Sequence, residues 1–297
     1  MMNPAQHLGE FLRARRELLA PEDVGLPRFG RRRVPGLRRE ELALLAGVST
    51  DYLVRLEQGR DHHPSTQVLD ALARALQLDE HATEHLHALG QPARPRPRAR
   101  RKPKPERAPE GIVQLLASWP ATPAFVHGRL MDVLAANPLA HALSPIYTPG
   151  VNLVRATFLD PGVRELYGNG WLKIAQSVVA HLRTQVGAQP EDPPFEQLVG
   201  ELSVRSEEFR RLWARHDVQP RASGGITPIE HPQVGQLVLR YEKLAIAGGE
   251  GVTLVIYHAE PASSSAHTLQ LLASMAASSP GHGEPGRLVP REPGASA

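Results

Sequence analysis

Apolar positions recur with helical spacing through the first ninety residues, and the pattern changes character after a proline-rich break. Over residues 4–20, Leu8, Phe11, Leu12, Leu18 and Leu19 form an apolar stripe, the mark of an amphipathic helix. A loop rich in Pro, Gly and Arg runs from Pro21 to Gly36. Two short helices follow, roughly 38–46 and 49–58, joined by a tight turn. Leu42, Leu45 and Ala46 share one helical face, and Leu53 and Leu56 oppose it. Ala43 is small where the two helices must approach. Gly47 stands where a positive φ ends the first helix, and Ser49 is placed to cap the second. Ser65 caps a predicted fourth helix with Val68, Leu69, Leu72 and Leu76 inward, and residues 79–89 make a fifth. Five short helices in this space predict a compact all-α domain over residues 1–90.

Residues 91–111 alternate proline with arginine and lysine, from Gln91 to Gly111. Proline removes backbone donors and favours extended polyproline II, so this stretch reads as a linker. A solvated spacer and an additional phosphate-contacting arm both fit it. Beyond it, a short helix at 112–118 precedes Pro123–His127 and Leu130–Ala136, a candidate hairpin. Asn137-Pro138 starts a helix through Leu143, with further helices near 161–186, 194–203 and 206–216. Gln236 to Ile246 alternates, with Leu237, Leu239 and Tyr241 on one face; Val252–His258 is a strand and 263–276 a helix. Strands at both ends with helices between predict an α+β domain over 112–277 holding one small antiparallel sheet. Residues 278–297, rich in Pro, Gly and Ser, are an expected disordered tail.

Charge divides as the elements do. Residues 1–107 carry 20 Lys+Arg against 14 Asp+Glu, a net of +6, and residues 108–297 carry 14 against 17, a net of −3. The basic half is the half with the paired helices, as attraction to phosphate requires. Without cysteine there is no disulfide framework, thiolate metal site or cysteine nucleophile. No signal-peptide core and no run approaching a membrane span is present, so a cytosolic location is expected.

The paired helices have the arrangement that lays a helix into the DNA major groove. Thr50, Asp51 and Arg55 at the start of the second helix are candidates for base contacts, with Arg39 arriving from the first. Arginine can fork onto guanine O6 and N7, and aspartate can accept from cytosine N4. Gln58, Arg60 and the cluster Arg31, Arg32 and Arg33 are candidates for phosphate. Blander readings stand beside these: Asp51 favours the helix dipole, and Arg55 pairs in solvent near Glu57. His81-Ala82-Thr83-Glu84-His85 matches an inverted zinc-protease pattern, yet it has no third ligand and reads as an exposed helical face. His62-His63 belong to a loop. No nucleophile–base set is legible, so neither catalysis, a cofactor nor a bound metal is expected.

Residues 1–90 resemble the Xre/Cro-type helix-turn-helix regulators. The run Val34-Pro-Gly-Leu-Arg-Arg-Glu-Glu-Leu-Ala is similar to the subgroup that carries an MmyB-like ligand-binding domain. Thr122-Pro-Ala-Phe-Val, Asp132-Val-Leu-Ala-Ala-Asn-Pro-Leu-Ala, Phe158-Leu-Asp-Pro, the segment from Gly200 to Val218 and His231-Pro-Gln-Val-Gly resemble that domain's hallmark segments. One departure is visible, Ala136 standing where family members usually carry tryptophan before Asn-Pro. The resemblance implies a transcription regulator with a PAS-like C-terminal domain for a small apolar ligand, fatty acids being the candidate class.

Such a pocket lies between the sheet and its covering helices. Phe125, Leu134, Phe158, Trp171, Phe209, Leu212, Trp213, Leu239 and Tyr241 are candidate lining residues, with Asn137, Arg215, His216 and Arg240 as candidate partners for a carboxylate. A structural reading of the same run has Arg215 paired with Asp217 or another acid and Trp213 in the core. The expected function is a sequence-specific regulator, acting as a homodimer on an operator and sensing a small molecule. The alternative is a ligand-independent repressor whose second domain serves dimerisation or partner binding.

Overall fold

Helix α1 (Pro4–Leu18) opens the chain, and α2 (Arg39–Ala46), α3 (Thr50–Glu57), α4 (Thr66–Ala75) and α5 (Glu80–Gly90) pack with it around one core. The computed structural model describes residues 4–27, 36–61, 64–90, 106–185, 192–215, 224–249 and 251–278. His62-His63, most of the basic linker and the tail from residue 279 lie outside the described residues. A 3-10 turn, Pro21–Val24, starts the loop after α1. The caps form as the sequence predicts. Gly47 takes φ 66° and closes α2, and the Ser49 hydroxyl accepts from the Tyr52 amide at 3.2 Å. Ser65 accepts from Val68 at 3.4 Å.

Burial of the first helix pair differs from the expectation in one respect. Leu42, Ala43 and Ala46 are the inward residues of α2, whereas Leu45 is 37% exposed. The small Ala43 shifts the buried arc toward itself and leaves Leu45 on the rim. Leu18 is likewise exposed, because α1 ends there. Gly9 explains how closely α1 and α3 approach: a Cβ at this position would stand 2.4 Å from the carbonyl oxygen of Glu57.

The second domain begins with α6 (Glu110–Ala117), followed by the hairpin of β1 (Ala124–His127) and β2 (Val133–Ala136). Then come α7 (Pro138–Leu143), a 3-10 turn Pro145–Tyr147, α8 (Leu153–Leu159), α9 (Pro161–Tyr167), α10 (Trp171–Arg183), α11 (Pro193–Arg205) and α12 (Glu207–Ala214). The strands β3 (Gly224–His231), β4 (Gly235–Ala245) and β5 (Thr253–His258) complete an antiparallel sheet of order β2-β1-β5-β4-β3, and α13 (Ser264–Ser278) closes the domain.

The single helix expected over 161–186 is two. Gly168, at φ 46°, breaks it through the 3-10 turn Gly168–Gly170. Helix α8 and strand β3 are additions to the sequence reading. Strand β3 carries Pro228, which has no N–H to give, and its edge position makes that tolerable. Helix α6 covers one face of the sheet through Leu116, packed with Ala124, Val126 and Leu254. The larger core lies on the other face, against the helices that follow β2.

Candidate DNA-binding face and ligand cavity

Helix α3 presents Asp51 and Arg55 to solvent, with Thr50 half-buried at its first turn. Gln58 and Arg60, just beyond its end, are exposed too. The Arg55 guanidinium lies over the Tyr52 ring at 5.7 Å, so the residue is propped on its own helix. Arg39 donates from Nε to Glu57 Oε2 at 2.7 Å while its side chain remains 44% exposed. That contact fixes the start of α2 to the end of α3. Arg31, Arg32 and Arg33 lie outside the described residues. His85, one end of the zinc-like pattern, packs edge-on against Phe11 at 5.3 Å, and burial draws its pKa down to about 4. Among the described residues no cluster of three or more His, Asp or Glu is placed to hold a metal.

The second site is a cavity of about 620 Å³, counted out to its open mouth, between the sheet and α8–α10. Alternation along the strands builds one wall: Phe125 and His127 from β1, Val255 and Tyr257 from β5, Tyr241 and Lys243 from β4. Register sets them side by side, Val255 opposite both Phe125 and Lys243, and Tyr257 opposite Tyr241. Leu153 and Thr157 of α8, and Ile174, Ser177 and Val178 of α10, face them.

Three phenols meet at this cavity. The Tyr147 hydroxyl is 2.7 Å from that of Tyr167 and 2.8 Å from that of Tyr257. Burial pushes all three above the ordinary tyrosine pKa, so they stay protonated hydrogen-bonding groups. Phe125 stacks on Tyr147 with centroids 4.3 Å apart.

His127 donates from Nδ1 to the Gly128 carbonyl at 2.8 Å, because a carbonyl oxygen can only accept. Burial lowers its pKa to about 4, and the imidazole is neutral at physiological pH. Burial also lowers the Lys243 pKa. Among the described residues no carboxylate lines the cavity. The hairpin carrying His127 is anchored from outside: the Arg129 amide donates to Glu106 Oε2 at 2.9 Å, and its guanidinium pairs with Asp192.

Of the ligand candidates named from sequence, Phe125 and Tyr241 line this cavity. The others have different surroundings. Leu134 packs with the α6 cluster on the opposite face of the sheet. Asn137 is fully engaged: Oδ1 accepts from Ala140 at 2.9 Å and Ala124 at 3.2 Å, and Nδ2 donates to the carbonyls of Trp119 and Thr122. Trp171 donates to the Thr157 carbonyl at 3.0 Å and carries Arg164 over its ring. Trp213 stacks on Phe209 and lies beneath Arg183. Phe158, Leu212 and Leu239 are core residues. Arg215 caps the exposed end of α12, and Arg240, on the outer side of β4, binds Glu260 at 2.9 Å. His216 lies outside the described residues. The sequence reading passed over His127 and Lys243. Both follow from the alternation that picked out Phe125 and Tyr241, carried two residues further on each strand.

A helix-turn-helix domain family matches residues 7–86, and the family described as the MmyB-like transcription regulator ligand binding domain matches residues 108–272. A paired-helix reader and an apolar cavity on one chain define a DNA-binding transcriptional regulator with a ligand-binding C-terminal domain. The chain belongs to the MmyB-like transcription regulators. No curated protein matches it in sequence. No helix among the described residues is long and apolar enough to cross a membrane.

Proposed function

We propose that this protein is a cytoplasmic one-component sensor of the Xre type, which binds its operator as a homodimer and changes DNA affinity when a small apolar ligand enters the C-terminal cavity. Fatty acids are the ligand class that the resemblance implies. The observation that carries the reading is a cavity walled by apolar side chains, on the same chain as a helix pair that exposes Asp51 and Arg55. Control by a ligand requires different affinities for DNA-competent and DNA-incompetent states.

The test is to unfold the purified protein, identify any released compound by mass spectrometry, and measure operator affinity with and without it. A released apolar compound that shifts DNA affinity supports sensing. Operator binding that no released or added lipid alters leaves an assembly role for the second domain and overturns the proposal.

A further inference from the structure

The cavity is rich in aromatic rings. Six of its fifteen lining side chains are rings. Tyr147 and Phe125 lie nearly parallel, at an interplanar angle of 16°, and Tyr241 stands 6.1 Å from Tyr257. The Tyr147 hydroxyl ties its ring to those of Tyr167 and Tyr257. Ile174 and Val178 of α10 stand opposite, with the hydroxyls of Thr157 and Ser177 beside them.

Among the described residues Lys243 is the only cation in the lining, and no acid accompanies it. Its Nζ lies 5.3 Å from the centroid of the Tyr241 ring. An amine drawn out of water without a counter-ion is complementary to an anion that arrives with the ligand.

We propose that the cavity selects a flat aromatic monocarboxylate, its ring lying against the Phe125–Tyr257–Tyr241 wall and its carboxylate paired with Lys243. The assignment rests on the reading of the cavity as the sensing site and departs from the fatty-acid class that the resemblance implies. A rigid ring loses no internal rotors on binding, whereas an alkyl chain must surrender them along its length. Ring quadrupoles also favour offset or edge-on contact with further rings, a preference an alkyl chain cannot use. The phenol hydroxyls and the neutral His127 add hydrogen-bonding groups without adding negative charge.

The experiment is isothermal titration of the full chain at neutral pH with 2-naphthoate and undecanoate, carboxylates of equal carbon number. The expected result is at least about tenfold tighter binding of 2-naphthoate. Lys243→Met should weaken 2-naphthoate about tenfold or more, Lys243→Arg should retain most of the affinity, and the neutral ketone 2-acetonaphthone should bind wild type and Lys243→Met alike. Where Lys243→Met does not fold, the two acids on wild type and Lys243→Arg decide. Undecanoate binding as tightly as 2-naphthoate, an unaffected Lys243→Met, or binding of neither acid overturns the assignment. Operator affinity measured with saturating 2-naphthoate separates the two readings: binding without a change in DNA affinity refutes sensing and leaves the ligand class standing.

Discussion

Arg16 and Glu57 form a buried ion pair that ties α1 to the end of α3. Nε of Arg16 donates to Glu57 Oε1 at 2.6 Å, and the two side chains are 4% and 2% exposed. Arg16 also donates to the Leu37 carbonyl at 2.8 Å, so one guanidinium holds both the recognition helix and the approach to α2. Such a pair is stable only while both partners remain. Arg16→Met strands the Glu57 carboxylate beside Arg39 alone and should cost about 3–5 kcal/mol. Urea denaturation of the variant checks this; a loss under about 1 kcal/mol would place the pair among ordinary surface bridges. Replacing both residues, Arg16→Met with Glu57→Leu, should recover part of the loss.

Gly9 gives a steric prediction on the same contact. An alanine methyl there would sit 2.4 Å from the Glu57 carbonyl oxygen, a backbone atom that cannot swing aside. Helix α1 must therefore move away from α3, with an overpacking cost of roughly 1–3 kcal/mol. Gly9→Ala should lower the melting temperature and weaken operator binding together. An unchanged melting temperature would show that the two helices are less tightly apposed.

On the DNA face, Arg55 and Arg60 should part company. Arg55 is exposed on α3, the helix whose start carries the candidate base contacts, and Arg60 lies past the helix end. Arg55→Ala should cost about 1–3 kcal/mol on the cognate operator and much less on random DNA. Arg60→Ala should weaken both by similar factors and flatten the salt dependence. Competition binding at two salt concentrations measures each; equal losses for Arg55→Ala on both DNAs would move that residue to the phosphate class.

Local chemistry made the first domain legible. Ser49, Ser65 and Gly47 act on neighbours within a few residues, and the leucine spacing of each helix reports its buried face apart from rim positions such as Leu45 and Leu18. The α+β class of the second domain was also readable, from the hairpin around Gly128 and the alternation of β4. The cavity was much less so. Tyr147, Tyr167 and Tyr257 meet from a 3-10 turn, a helix and a strand separated by up to 110 positions, and no local period encodes such a meeting. Aromatic and basic residues near the hallmark segments drew attention to Trp213 and Arg240. Trp213 is packed with Phe209 and Arg183, and Arg240 points away on the outer side of its strand. The Arg16–Glu57 pair is similarly hidden, since its partners stand 41 residues apart.

Two histidines shielded from solvent make the fold sensitive to acid. His127 has an ordinary pKa of 6.5 when exposed and about 4 when folded, chiefly through burial, with nearby Lys243 acting in the same direction and the Gly128 carbonyl against it. The unfolded chain therefore takes up this proton more readily than the folded one. Stability from the neutral imidazole is fully present above about pH 6.5 and is lost as pH falls toward 4, a change of roughly 3 kcal/mol at most. His85 is lowered to about 4 as well, first by burial and then by Arg183 and His7, so it steepens the same window. Urea midpoints measured from pH 7 to pH 4 should fall, and His127→Gln should flatten that slope relative to wild type, a comparison in which the titrating carboxylates cancel. His85→Gln should flatten it independently. Parallel slopes for wild type and both variants would mean that neither imidazole is held neutral by its surroundings, and the cavity around His127 would then be wet at its sheet end.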